Sequence, residues 1–179
     1  MRIAIFISGR GSNMQALLDS VSKVRCCLVV SSKASAPGLA RAKRAGIPTL
    51  VLDKKIDYEA LHNELLKRKI DRILLAGFMK IVPASFIQRW QGKILNIHPS
   101  LLPEFTGLSG FERSHEAKAA MGATLHEVTE GLDEGPVLRQ ICFFPRHGWE
   151  KTSPGLQESQ LYLSFSEQRI VREVEKIWK

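Results

Sequence analysis

Short apolar runs alternate with helix-period segments along this 179-residue chain, and that alternation restricts its fold more than any other feature. Ile3 to Ile7, Leu28 to Val30, Thr49 to Leu52 and Ile73 to Ala76 are apolar almost throughout. Strands buried on both faces have this composition, because neither face can carry polar side chains. A fifth run, Lys93 to His98, carries its apolar residues early and ends polar. Between the runs, Met14, Leu17, Leu18 and Val21 fall on one face of a 3.6-residue period. Ser12 and Gln15 form a capping-box pattern at the start of that helix. A second helix is predicted from about Pro37 to Gly46, with proline inside its start and glycine at its end. A third follows Asp57 with Tyr58, Leu61 and Leu65 facing inward, and a last one carries Ile170, Val171, Val174, Ile177 and Trp178 on one face. Two later runs, Ala123 to Thr129 and Val137 to Phe144, are separated by Asp133-Glu134-Gly135-Pro136, a turn. The order predicts an α/β fold, a doubly wound and mostly parallel sheet with helices on both faces. No repeat or linker interrupts it, so residues 1–179 are expected to form a single domain.

Composition narrows the function classes. No apolar run approaches the roughly 20 residues of a membrane span, and the first run is too short for a signal segment. Three cysteines, two of them adjacent (Cys26, Cys27, Cys142), make neither a disulfide framework nor a metal spacing. Reduced thiols in a cytoplasm are the expectation. The net charge of +8 invites a nucleic-acid reading, but the basic residues are spread along the chain without interleaved aromatics. A solvated basic surface that attracts small anionic substrates explains the charge better. The expected partners are therefore small molecules, not nucleic acid or membrane. His62, His98, His115, His126 and His147 are scattered and lack zinc-site spacing, so no metal is expected.

Three segments can carry chemistry. Ser8-Gly9-Arg10-Gly11-Ser12-Asn13 joins the first strand to the first helix. Glycines there let a backbone approach an anion, and the free N–H groups of a helix start face it. The same residues also suit a tight strand-to-helix turn, and by themselves they leave both readings open. Asn96 and His98 are two apart at the end of a strand, so both point to one face. An amide donor beside an imidazole can stabilise an oxyanion and move a proton. Asp133 lies in a glycine-flanked loop, where it is either a turn residue or the partner of a histidine.

Taken together, Ile7 to Asn13, Leu75 to Ile81, Leu95 to Pro103 and Leu132 to Pro136 resemble, in order and spacing, the motifs of the phosphoribosylglycinamide formyltransferases. The resemblance runs from residue 1 to about residue 140. Asn96-Ile97-His98-Pro99-Ser100-Leu101-Leu102-Pro103 is its most specific element, shared across folate-dependent formyltransferases and deformylases. The Ser8 to Asn13 block narrows it toward the purine-pathway member, whose substrate carries a phosphate. The resemblance implies a Rossmann-like formyltransferase fold. It also implies transfer of the formyl group of 10-formyltetrahydrofolate, as co-substrate, to the amine of phosphoribosylglycinamide in de novo purine biosynthesis. By the same resemblance Gly11, Ser12 and Asn13 hold the ribonucleotide phosphate. Asn96 binds the formyl oxygen as it becomes an oxyanion, and His98 is the general acid, oriented by Asp133 in its charged form. Met79, Lys80, Ile81 and Val82, with Asn96 and Thr129, Glu130, Gly131 and Leu132, line the folate pocket. Glu167 matches a substrate-binding glutamate late in the family's chain. Neither a metal nor any assembly beyond a monomer or homodimer is implied.

The chain departs from the family pattern at several points. Ser109 stands where a histidine commonly follows the Gly-Leu pair, Tyr58 stands near a customary arginine, and Glu127 replaces an apolar residue. Lys54 and Lys55 are the basic residues nearest Tyr58, and the stretch from Pro145 to Pro154 is longer than usual. These differences bear on the acceptor and the folate tail more than on the transfer chemistry. Related activities are a deformylase using water, or a formyltransferase acting on a sugar amine or on methionyl-tRNA. The deformylase and the tRNA enzyme usually carry an extra domain, for which this chain has no room. A lapsed nucleotide-binding module and a basic RNA-binding protein are readings from other classes. Intact Asn96, His98 and Asp133 argue against the first, and unclustered lysines and arginines against the second.

Overall fold

The computed structural model describes residues 1–20 and 24–178. Seven strands form one sheet: β1 (Arg2–Ile7), β2 (Arg25–Ser31), β3 (Thr49–Val51), β4 (Arg72–Leu75), β5 (Ile94–His98), β6 (Met121–Glu127) and β7 (Val137–Phe144). Their order across the sheet is β3-β2-β1-β4-β5-β6-β7. The first five pair in parallel, whereas β6 and β7 run antiparallel to their neighbours. The helices are α1 (Ser12–Leu18), α2 (Gly38–Arg44), α3 (Tyr58–Lys67), α4 (Ala84–Arg89), α5 (Gly110–Glu116), α6 (Leu156–Val171) and α7 (Val174–Ile177). The α/β fold expected from the apolar runs is the one observed.

Alternation along each strand sends side chains to two cores. Ile3, Ile5 and Ile7 pack with Leu74, Leu95 and Leu125 under Met14, Leu17, Ile170, Val174 and Trp178 of α1, α6 and the chain end. Ala4 and Phe6 face the other way, with Val30, Ile73 and Ile94, against Leu61, Leu65, Phe86 and Trp90 of α3 and α4. The strand order reverses between β1 and β4, which opens a crevice at the carboxyl ends of these strands. The functional site sits there.

Local details correct the sequence reading. The capping box at Ser12 and Gln15 does not form. Gly11, in the left-handed region at φ 70°, is the N-cap, Ser12 is the first helical residue, and no side chain caps the helix. Gln15 instead donates to Asp19 at 2.8 Å. The cause is a close backbone crossing, since a Cβ on Gly11 would lie 3.0 Å from Gly38 Cα. Val21, expected on the inner face of this helix, lies outside the described residues. The last helix is two, broken at Arg172 and Glu173, although Ile170, Val171, Val174 and Trp178 still bury as one stripe. Strand β6 starts and ends two residues earlier than the apolar pattern suggested.

Gly38 makes the crossing testable. A Cβ there would meet Ile7 Cδ1 at 2.5 Å and the Gly9 carbonyl oxygen at 3.0 Å. Gly38→Ala is expected to destabilise the protein by roughly 1–3 kcal/mol through overpacking, read from the midpoint of denaturant unfolding. An unchanged midpoint would show that the crossing can relax.

Candidate active site

Asn96 and His98 occupy alternate positions at the end of β5, on the face that carries Ile94. Antiparallel pairing places His126 of β6 opposite Asn96, and Thr124 opposite His98. Asp133, held at φ 57° in the turn between β6 and β7, reaches back over these residues. Its carboxylate lies 3.3 Å from His98 Nδ1 and 3.5 Å from His126 Nε2. It also accepts the Gly107 backbone N–H at 2.8 Å. His98 is 4% exposed and His126 1%. The contact between Asp133 and His98 is therefore largely shielded from water, where a charge pair is stronger than at a surface.

The network fixes which atoms face the crevice. His126 Nδ1 is 2.8 Å from the Glu127 carbonyl, which can only accept, so Nδ1 carries the proton. Burial pushes the His126 pKa down and keeps the ring neutral, leaving Nε2 as an acceptor. Asn96 Nδ2 donates to that nitrogen at 3.1 Å. An amide nitrogen has two hydrogens, so His126 sets the flip of Asn96 and leaves one N–H for another acceptor. His98 Nε2 lies 2.9 Å from the Phe105 carbonyl, so this ring has an acceptor for a proton on each nitrogen.

The crevice walls are loops. Thr124 accepts from Leu102 N at 3.1 Å and donates to the Ser100 carbonyl at 2.6 Å, which clamps the segment after His98. Phe105, Gly107 and Ser109 all have positive φ, and Leu108 between them is 79% exposed. After β4, Met79 N donates to Ser8 Oγ at 2.8 Å, which ties this loop to the end of β1. Met79, Ile81 and Leu132 are exposed, and with Leu108 they give apolar surface on the loops after β4, β5 and β6. Thr129, Glu130 and Gly131 lead into Asp133, and Gln88 of α4 holds the Glu130 carboxylate at 2.8 Å. Lys80 is exposed and Val82 buried.

At the other side of the crevice, Gly9 and Arg10 are exposed while Gly11 is buried. The first-turn N–H groups of α1, which a helix cannot satisfy internally, start at Ser12. The Asn13 side chain turns inward and donates from Nδ2 to Glu167 Oε2 at 3.1 Å, while its buried Oδ1 has no hydrogen-bond partner. Asn13 and Glu167, both expected to bind substrate, thus meet across 154 residues of sequence. Desolvation pushes Glu167 up to about 7, against the lowering effect of the Asn13 bond. The folded state therefore holds a proton that an unfolded chain, with the ordinary glutamate value of 4.5, releases as pH rises past it. Stability is therefore lost as pH rises from about 4.5 to about 7. Glu167→Gln is expected to flatten the fall in Tm across that window, measured against wild type. A parallel fall in both proteins would remove Glu167 as the cause.

The structure thus brings Asn96, His98 and Asp133 together and places the apolar loops beside them. The sequence reading did not assign His126 or Thr124. Their signal was the period-two spacing Thr124, His126, which matches Asn96, His98 once β5 and β6 are paired. Among the described residues, no group of three or more histidine, cysteine or carboxylate side chains has a metal-holding arrangement. Among the same residues, no helix is long and apolar enough to cross a membrane.

The family profile described as Formyl transferase matches residues 1–143. The phosphoribosylglycinamide formyltransferase of Haemophilus influenzae is 40% identical, over 90% of this chain and 83% of that protein. The human trifunctional purine biosynthetic protein adenosine-3 is 43% identical over 78% of this chain, which spans only 15% of that relative's length. Glycinamide ribonucleotide transformylase 1 of Symbiobacterium toebii superposes with a TM-score of 0.89 at 33% identity, covering 99% of this chain and 87% of its own.

Proposed function

Since this chain belongs to the formyl transferase family, and within it to the phosphoribosylglycinamide formyltransferases, we propose that it transfers the formyl group of 10-formyltetrahydrofolate to the amine of phosphoribosylglycinamide, a step of de novo purine biosynthesis. The observation that carries the reading is the Asn96 amide, oriented by His126 with one N–H to spare, beside the buried His98–Asp133 pair. The amine nitrogen forms a bond to the formyl carbon, and the carbonyl electrons move onto oxygen. Asn96 donates its remaining N–H to that oxygen as charge builds there. Collapse of the tetrahedral intermediate breaks the carbon–nitrogen bond to the folate. The leaving nitrogen takes a proton, and the amine gives one up. In this reading His98 carries that proton and Asp133, 3.3 Å from its Nδ1, holds it in orientation. Proton transfer requires Nε2 to exchange the Phe105 carbonyl for the substrate.

The apolar loops at Met79 to Val82 and Thr129 to Leu132 take the folate ring. Gly11, Ser12 and Asn13 take the phosphate at the start of α1, with Glu167 behind Asn13. The basic surface draws both anionic substrates toward the crevice. The whole of residues 1–179 acts as one formyltransferase domain on small molecules, in the cytoplasm, as a monomer or homodimer. The test is a two-arm assay with 10-formyl-5,8-dideazafolate, followed by folate absorbance and by the mass of the ribonucleotide. Absorbance should change only when phosphoribosylglycinamide is present, with formylated ribonucleotide as product. Release of formate without acceptor would make the chain a deformylase. Turnover with a different amine alone would redirect the acceptor.

A further inference from the structure

Both walls of the crevice are tied to the helical layer behind them. On one side Gln88 holds Glu130. On the other, the Tyr58 hydroxyl donates to the Ile81 carbonyl at 2.9 Å, across 23 residues of sequence. Tyr58 is the first residue of α3, and the start of that helix is fixed by Asp57, whose side chain accepts from Ala60 N at 2.9 Å. The Tyr58 ring stands edge-on to Phe86 of α4, with centroids 5.3 Å apart and planes at 60°. The Ile81 side chain is 83% exposed, so the backbone and not its side chain anchors this part of the loop. At the other end of the same loop, Met79 N is bonded to Ser8 Oγ. A short segment held at two points, one by a strand end and one by a helix start, has a set distance from Asn96.

We propose that Tyr58 is a positioning residue for the formyl donor, its hydroxyl fixing the backbone at Ile81 and so the width of the cleft that takes the donor's ring. This rests on the formyltransferase reading. The Tyr58 hydroxyl bonds the protein's own loop. Its role is thus to shape the pocket. Burial raises the phenol pKa, so the hydroxyl remains a donor across the neutral range.

The test is Tyr58→Phe, which keeps the ring on Phe86 and deletes only the hydroxyl. Binding of 10-formyl-5,8-dideazafolate is measured by titration without acceptor, and turnover is measured with both substrates. The Kd and KM for the donor should rise about three- to tenfold, the effect of losing one neutral hydrogen bond. The kcat and the KM for phosphoribosylglycinamide should stay within about twofold, because uniform donor binding alone is affected. Thermal melting reports that the variant is folded. Unchanged donor binding in the variant, with wild type binding normally, would reduce Tyr58 to a buttress of Phe86 and overturn the proposal. Equal losses for donor and acceptor would overturn it too. Failure of wild type to bind the donor would instead overturn the functional reading, and this inference with it.

Discussion

Replacing His98 with alanine is expected to lower kcat by about 10²–10⁴-fold, the range for losing a positioned general acid or base. The structure gives the reason for a large effect. His98 is almost fully buried, has Asp133 on one ring nitrogen, and has a backbone carbonyl on the other. The KM values should move much less than kcat, because the start of α1 proposed to hold the phosphate and the apolar walls lie outside this pair. A variant that loses affinity for both substrates while keeping kcat would make His98 a structural residue of the β5 end. Circular dichroism and thermal melting of His98→Ala separate that outcome from unfolding.

Asn96→Ala is expected to cost about 10²–10³ in kcat, the usual loss for one oxyanion donor. The expectation is sharper than residue type alone would allow, because His126 fixes the amide. His126 Nε2 has no proton to give, so Asn96 must present Nδ2 to it. Asn96→Asp is nearly isosteric but has no N–H, and should be at least as damaged as alanine. Recovery of activity in the aspartate variant would mean that Asn96 supports the strand end and does not donate. Single-turnover kinetics with saturating donor isolate the transfer step from product release.

Much of the fold is legible in the sequence for a simple reason. Strands buried on both faces carry few polar residues, so β1 and β4 declare themselves as apolar runs. Short helices are another matter. Helix α5 carries a single large apolar residue, Phe111, and α4 only the adjacent Phe86 and Ile87, too few to mark a helical period. The capping box failed because backbone packing of Gly11 against Gly38 outweighed a side-chain cap. In the site, Asn96 and His98 were visible because two polar residues end an otherwise apolar strand. Asp133 acquired its partner only through the family resemblance, since nothing local to a turn points across the sheet. His126 was hidden by its strand, where burial on both sides makes it look like core.

The most direct test of the account is a double-mutant cycle on His98 and Asp133, with kcat measured for wild type, His98→Ala, Asp133→Ala and the double variant. If the buried pair acts as one unit, the double variant should be about as slow as the slower single one, because groups that share a function are strongly non-additive. Losses that multiply would mean that the two act independently, and would return Asp133 to the role of a turn residue beside the strand.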